Sequence, residues 1–178
     1  MKTRSIGNEL LLKATSLARG RSESTEAFLG RVTHLHLQNK RIGSISGLDL
    51  CSSLKVLYLY DNKIQHIENM EFAKILSYLY VQNNEITSLP EVEIPSVKKL
   101  YLDENRIEFV DKLENTPMLE ELYLARQNIP RFSSLEFDVA SLQQVAETLS
   151  VVDVSGNGIT TLVPLGCLYN LRRIFAQD

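Results

Sequence analysis

The sequence predicts an α/β solenoid: short parallel strands stacked along the inside of an arc, with 3₁₀ or short helical segments on its outer side. Three observations carry that expectation. Apolar residues recur at a step of 22 along most of the 178 residues, an asparagine recurs at one position of the step, and the residues before the first copy carry helical rather than repeat spacing.

In chain order, residues 1–31 come first. Leu10, Ala14 and Leu17 stand at helical spacing within residues 9–19, and a second helix is expected from about Glu23 through Phe28 and Leu29. Together they read as a helical N-terminal cap shielding the edge of the first repeat. The repeats occupy residues 32–178. Val32, Leu35, Leu37, Ile42, Ile45 and Leu48 return 22 residues later as Leu54, Leu57, Leu59, Ile64, Ile67 and Met70. The third copy is Leu76, Leu79, Val81, Ile86, Leu89 and Val92. After a step of 21 the fourth is Val97, Leu100, Leu102, Ile107, Val110 and Leu113, and the fifth is Leu119, Leu122, Leu124, Ile129, Phe132 and Leu135. The step then lengthens to 30, giving Leu149, Val152, Val154, Ile159, Leu162 and Leu165; Leu171, Ile174 and Ala176 begin a seventh copy. The added residues fall within 133–148, where Val139, Leu142 and Ala146 form an apolar face after Asp138, an expected helix N-cap. A longer outer-side helix is expected there.

Six full copies and the start of a seventh follow L-x-x-L-x-L-x-x-N-x-I-x-x-I-x-x-L, the leucine-rich repeat pattern. One such repeat cannot bury its apolar face alone, so stacking closes the core and one strand per copy builds a curved sheet on the concave side. Asn62, Asn84, Asn105 and Asn157 follow the strands, where a buried amide can satisfy the backbone of a tight turn. Their expected role is structural. Lys40 and Gln127 replace asparagine in the first and fifth copies, so weaker or rearranged turn bonding is expected there. No polar cap follows Leu171, which leaves the sheet edge open and suggests a piece of a longer protein.

Composition narrows the function classes. A net charge of −3 gives no excess of positive charge for nucleic acid or anionic lipid. With 44% hydrophobic and 23% charged residues the chain is ordinary for a folded protein, and no apolar run approaches the ~20 residues of a membrane span. A secretory leader is missing from the N-terminal residues, and Cys51 and Cys167 read as reduced thiols of an intracellular protein. His34 and His36 share a strand face, but no set of Cys or carboxylates at ligand spacing accompanies them, so no metal is expected. Nor do the residues compose a Ser/His/Asp or Cys/His arrangement, and Gly156-Asn157-Gly158 lacks the flanking Lys-Ser/Thr of a phosphate loop. The expectation is no enzyme and no cofactor. Arg106-Ile107-Glu108-Phe109 has the form of a short phosphatase-docking peptide, but Ile107 is a core position that could be exposed only by unfolding its repeat.

Alternation along a strand sends the leucines of L-x-x-L-x-L inward and the residues between them to the concave surface. The central column reads His36, Tyr58, Tyr80, Tyr101, Tyr123, Asp153 and Phe175. The column before it contains Tyr78, Lys99 and Glu121, and the one after it contains Gln38, Tyr60, Gln82 and Asp103. Six of the seven tyrosines therefore share one face, and at a strand spacing of about 4.8 Å their central ladder runs about 15 Å. Clustered aromatic surface marks interaction sites, and Tyr is enriched among residues that dominate interfaces. The candidate protein-binding residues are Tyr58, Tyr60, Tyr78, Tyr80, Tyr101, Tyr123 and Phe175, with Asp61, Asp103, Glu104 and Asp153 as an acidic margin. A partly basic protein fits that surface, whereas nucleic acid conflicts with it.

The 22-residue period with Ile-x-x-Ile after the asparagine is similar to intracellular repeat proteins founded by a regulatory subunit of protein phosphatase 1. Val56-Leu57-Tyr58-Leu59-Tyr60-Asp61-Asn62, Tyr78-Leu79-Tyr80-Val81-Gln82-Asn83-Asn84 and the irregular stretch from Gln127 to Asp138 with Ser141-Leu142 resemble the testis and centrosomal leucine-rich repeat family of phosphatase regulators. The likeness runs from about residue 30 to 178. It implies binding to the protein phosphatase 1 catalytic subunit and a cytoplasmic location with cytoskeletal, centrosomal or ciliary association. An alternative is a cytoskeletal or axonemal adaptor that binds tubulin or motor chains.

Overall fold

The computed structural model describes residues 3–131 and 133–177. Helices α1 (Asn8–Lys13) and α2 (Thr25–Gly30) precede strands β1 (His34–His36), β2 (Val56–Tyr58), β3 (Tyr78–Tyr80), β4 (Lys99–Tyr101) and β5 (Phe109–Val110). Then come β6 (Glu121–Tyr123), β7 (Glu136–Phe137), α3 (Val139–Gln143), β8 (Val151–Asp153) and β9 (Arg173–Phe175). Seven strands form one parallel sheet in the order β1-β2-β3-β4-β6-β8-β9, and β5 and β7 pair separately. Short 3₁₀ turns at Leu113–Asn115 and Val163–Cys167 lie outside the sheet.

Strand register follows the sequence period: Leu35, Leu57, Leu79, Leu100, Leu122, Val152 and Ile174 align across the sheet. Shifting any pair by one residue would turn its leucines outward, so the apolar pattern holds the register. The inward leucines join one hydrophobic cluster with Leu11, Phe28 and Leu29 of the N-terminal helices. This chain is a leucine-rich repeat solenoid.

Several expected core positions differ. Val92 is only half-buried while Ile94 is fully buried, because the next copy begins one residue early and Ile94 turns inward, its N–H donating to Asn115 O at 2.8 Å. Ile129 and Ile159 are half-buried, and Leu162 and Ile174 are exposed toward the last strand. Phe132 lies outside the described residues.

Helix α1 is shorter than its apolar spacing suggests. It ends at Lys13, and Leu17 is 40% exposed. The chain leaves the helix there because Ala14 O accepts the His36 N–H on the outer edge of β1, while Arg4 bridges to Ile42. The inserted helix is also short. Asp138 caps α3 by accepting from the Ala140 and Ser141 N–H groups, but the buried face is Leu142, Val145 and Ala146, and Val139 is exposed.

The asparagine column binds neighbouring copies together. Asn105 Nδ2 donates to Val81 O and Leu102 O at 3.0 and 2.9 Å, and Asn105 Oδ1 accepts from Ile86 N–H at 3.0 Å. Asn62 and Asn84 make the same bonds. Gln127 does as well, contrary to the weaker bonding expected of it: its Nε2 reaches Leu102 O and Leu124 O, and its Oε1 accepts from Ile107 N–H. The longer side chain spans the same turn. The rearrangement falls one copy later, where Asn157 Oδ1 takes the Gln127 N–H and the Ile129 N–H turns back to Gln127 O. Lys40 is exposed and contributes only its N–H, which donates to Asn62 Oδ1.

Just before each of these positions the backbone is left-handed, at Asn39, Asp61, Asn83, Glu104, Arg126 and Gly156, with φ from 49° to 68°. Asn, Asp and Gly adopt that conformation readily, whereas it costs a longer side chain about 1–2 kcal/mol. Glu104 and Arg126 occupy it nonetheless.

Candidate functional site

Parallel strands in register place like residues side by side, and strand spacing is close to ring-contact distance. The central column of the concave face accordingly becomes a continuous stack. His36 and Tyr58 centroids lie 4.7 Å apart, Tyr58 and Tyr80 4.8 Å, Tyr80 and Tyr101 4.4 Å, and Tyr101 and Tyr123 4.5 Å, with planes within 20° of parallel. The four tyrosine rings are half-buried, not open to solvent as the sequence pattern suggests, because each covers the face of the next, while His36 at the end of the stack is exposed. What the stack presents outward is ring edges and hydroxyls. His36 extends it by one ring, a member visible in the column but not counted among the candidate residues.

The stack stops at Asp153. Phe175, beyond it on β9, is 41% exposed and pairs in register with Asp153, so it stands apart from the tyrosines.

The flanking column begins the electrostatics. Lys99 Nζ lies 5.9 Å from the Tyr78 centroid and 3.1 Å from Glu121 Oε1, while Tyr123 Oη donates to Glu121 Oε2 at 2.7 Å. Burial opposes charge on Glu121, yet the Tyr123 hydroxyl and Lys99 outweigh it and hold the carboxyl below its usual range. Burial, reinforced by the neighbouring Tyr101, pushes the Tyr80 phenol up to about 12, and burial with Glu121 raises Tyr123. These rings are neutral donors at physiological pH.

On the other flank, Glu104 is the candidate acid with an ion-pair partner, and the others accept from neutral N–H donors. Glu104 Oε1 lies 2.9 Å from Arg126 Nη2, and Asp61 Oδ1 accepts from Asn83 Nδ2 at 2.7 Å. Asp103 is half-buried and accepts from Ala125 N–H at 2.8 Å; burial raises its pKa, and the nearby Asp153 adds to the rise. Asp153 in turn accepts from Ser155 N–H. Tyr58, Tyr60, Tyr80, Gln82, Asp103 and the rim residues Asp61, Asn83, Glu104 and Arg126 enclose an open hollow of about 470 Å³. Gln82, Asn83 and Arg126 were not singled out by the sequence pattern; their shared column and turn positions were the available signal.

Among the described residues no group of three His, Cys, Asp or Glu side chains is placed to hold a metal, and no helix is long and apolar enough to cross a membrane. Ile107 is fully buried, which keeps the Arg106–Phe109 segment folded into its repeat.

No known family pattern and no curated protein matches the sequence. Among solved structures, the chain is similar to the functional domain of InlJ from Listeria monocytogenes, which includes a cysteine ladder. That match has 19% identity and a TM-score of 0.58 over 81% of this chain and 28% of that one. An internalin (inlF) from Listeria monocytogenes is 19% identical with a TM-score of 0.49, covering 95% of this chain and 67% of that one. The chain thus spans under a third of the first of these structures. At such identity the likeness concerns the fold. Here the repeating columns are asparagine and tyrosine, and Cys51 and Cys167 are both free thiols.

Proposed function

We propose that the chain is a non-catalytic protein-binding scaffold whose concave face receives a partly basic protein. The observation that carries this reading is the in-register stack from His36 to Tyr123, bordered by Asp61, Asp103 and Asp153. A preordered row of aromatic edges loses little conformational freedom on binding, and the carboxylates steer a positively charged partner. Tyr58, Tyr60, Tyr78, Tyr80, Tyr101 and Tyr123 supply the contact surface; Glu104 is tied to Arg126 and orients the rim, and Phe175 lies at the outer end.

The partner assigned is the catalytic subunit of protein phosphatase 1, by the sequence resemblance to the testis and centrosomal family and within it to regulatory subunit 42 of that phosphatase. Calorimetric titration with the purified catalytic subunit tests this, with co-sedimentation on microtubules as the discriminating arm. Saturable binding of the phosphatase supports the assignment. Sedimentation with microtubules and no heat with the phosphatase replaces it by a cytoskeletal adaptor.

A further inference from the structure

The central stack ends on a ring unlike the others. From His36 through Tyr58, Tyr80 and Tyr101 each ring has a neighbour on the next strand, and the row closes at Tyr123, 4.5 Å from Tyr101 with planes 5° apart. The following strand carries Asp153 in that column, so no ring continues the row there. Tyr123 Oη donates to Glu121 Oε2 at 2.7 Å, and among the described residues no other stacked tyrosine gives its hydroxyl to a carboxylate. That contact comes from the strand itself, because residues two apart share a face, and Glu121 and Tyr123 are the first and last residues of β6.

Ring contact and a placed carboxylate meet in the chemistry of phenol oxidation. A neutral phenol gives up an electron readily only if its proton leaves at the same time, because the oxidised phenol is a strong acid. The proton acceptor must lie within hydrogen-bond reach, about 2.6–3.2 Å between heavy atoms. Glu121 meets that condition for Tyr123. Lys99 Nζ, 3.1 Å from Glu121 Oε1, and the Tyr123 hydroxyl keep the carboxyl ionised. They weaken it as a base, yet it remains far more basic than an oxidised phenol. Face contact lets an electron vacancy formed at one ring of the stack pass to the next, and it stays at the ring that loses its proton.

We infer that Tyr123 is an oxidative modification site, the ring of the stack that a one-electron oxidant of the nitrogen-oxide radical class oxidises and nitrates. In the first step a nitrogen dioxide radical takes one electron from the Tyr123 ring and becomes nitrite, while the phenol proton passes to Glu121. In the second, another nitrogen dioxide radical bonds to the ring carbon beside the oxygen. The hydrogen on that carbon leaves as a proton, and Glu121 returns its own proton to the oxygen. Tyr123 is half-buried, with Tyr101 against one face, which leaves the ring within reach of a small radical. A nitro group beside the hydroxyl makes the phenol a much stronger acid. Modification thus puts a negative charge next to Glu121 where the unmodified face has a neutral donor.

Brief exposure of the folded chain to peroxynitrite in bicarbonate buffer, a source of nitrogen dioxide and carbonate radicals, tests it, with 3-nitrotyrosine at each position quantified by peptide mass spectrometry. Tyr58, Tyr80 and Tyr101 are half-buried like Tyr123 and serve as internal references. Nitration at Tyr123 is expected to exceed that at each of the three by about tenfold, the rate equivalent of one hydrogen bond to a charged group. Glu121→Gln, whose amide oxygen still accepts from the hydroxyl but is no base, removes the preference. Lys99→Met, which breaks the ion pair and leaves the carboxylate, keeps it. Circular dichroism checks that both variants are folded. Equal nitration of the four rings in the unaltered chain, or a preference for one of the other three, would overturn the assignment. So would a preference that survives in folded Glu121→Gln or is lost in folded Lys99→Met.

Discussion

Replacing Asn105 by alanine removes one fully buried amide, strands one buried backbone N–H and takes one hydrogen bond from each of two buried carbonyls. The Ile86 N–H loses its acceptor, while the carbonyls of Val81 and Leu102 each lose one of two side-chain donors and keep Asn84 Nδ2 and Gln127 Nε2. The methyl group of alanine reaches none of them. The unmatched N–H costs about 1–3 kcal/mol and each lost carbonyl bond about 0.5–1 kcal/mol, and partial relaxation brings the expected total to about 2–4 kcal/mol. With a urea dependence of about 2 kcal/mol per molar, the unfolding midpoint by far-UV circular dichroism falls by roughly 1–2 M. Repeat stacks can unfold in parts, so the slope is compared as well as the midpoint. Lys40→Ala, at the same repeat position but exposed, moves the midpoint by no more than about 0.25 M, since surface changes cost within about 0.5 kcal/mol. A loss below about 1 kcal/mol for Asn105→Ala, within the worth of one ordinary hydrogen bond, would refute the view that the asparagine column ties the copies together.

Asp103→Asn gives a prediction of opposite sign. Burial, with Asp153 adding to it, raises the Asp103 pKa in the folded state, so the folded chain holds that proton more tightly than the unfolded chain does. Stability from this group therefore falls as pH rises through its titration; the neutral variant is more stable at pH 7, and the gain fades as pH falls toward about 4, the unfolded-chain value, and is gone below it. Thermal melts across that range check it, and a variant less stable than the original at pH 7 contradicts it. Cys51 is fully buried, with its thiol pushed up to about 11 by burial and Asp49, whereas Cys167 is half-buried. Iodoacetamide at pH 8 labels Cys167 well before Cys51, as read by peptide mass spectrometry; equal rates would show that the core around Cys51 opens.

Much of this arrangement is legible in the residues because a parallel solenoid repeats its geometry. The alignment of Leu35 with Leu57 and its successors follows from the 22-residue step, and the same step places Tyr58, Tyr80, Tyr101 and Tyr123 in one column. What the pattern does not carry is side-chain contact. A column of tyrosines reads as exposed rings, but strand spacing equals ring-contact distance, so the faces cover one another and leave the edges outward. Gln127 differs from asparagine in identity but not in the groups it offers, and its one extra methylene still spans the turn. Leu17 and Val139 fit helical spacing yet lie exposed, since α1 gives way to the Ala14 contact with β1 and α3 is too short to use its first apolar position. The left-handed turn was obscured by Glu104 and Arg126, residues that rarely adopt it.

The concave face is tested most directly by calorimetric affinity for the purified phosphatase catalytic subunit, comparing the unaltered chain with Tyr58→Ala/Tyr80→Ala/Tyr101→Ala. Val163→Asp, at an exposed position outside the sheet, is the control, and all three are matched for folding by circular dichroism. Loss of affinity by at least about 30-fold in the tyrosine variant alone is the predicted result, since one interface anchor carries about 2 kcal/mol. Undiminished affinity in a folded tyrosine variant would contradict it.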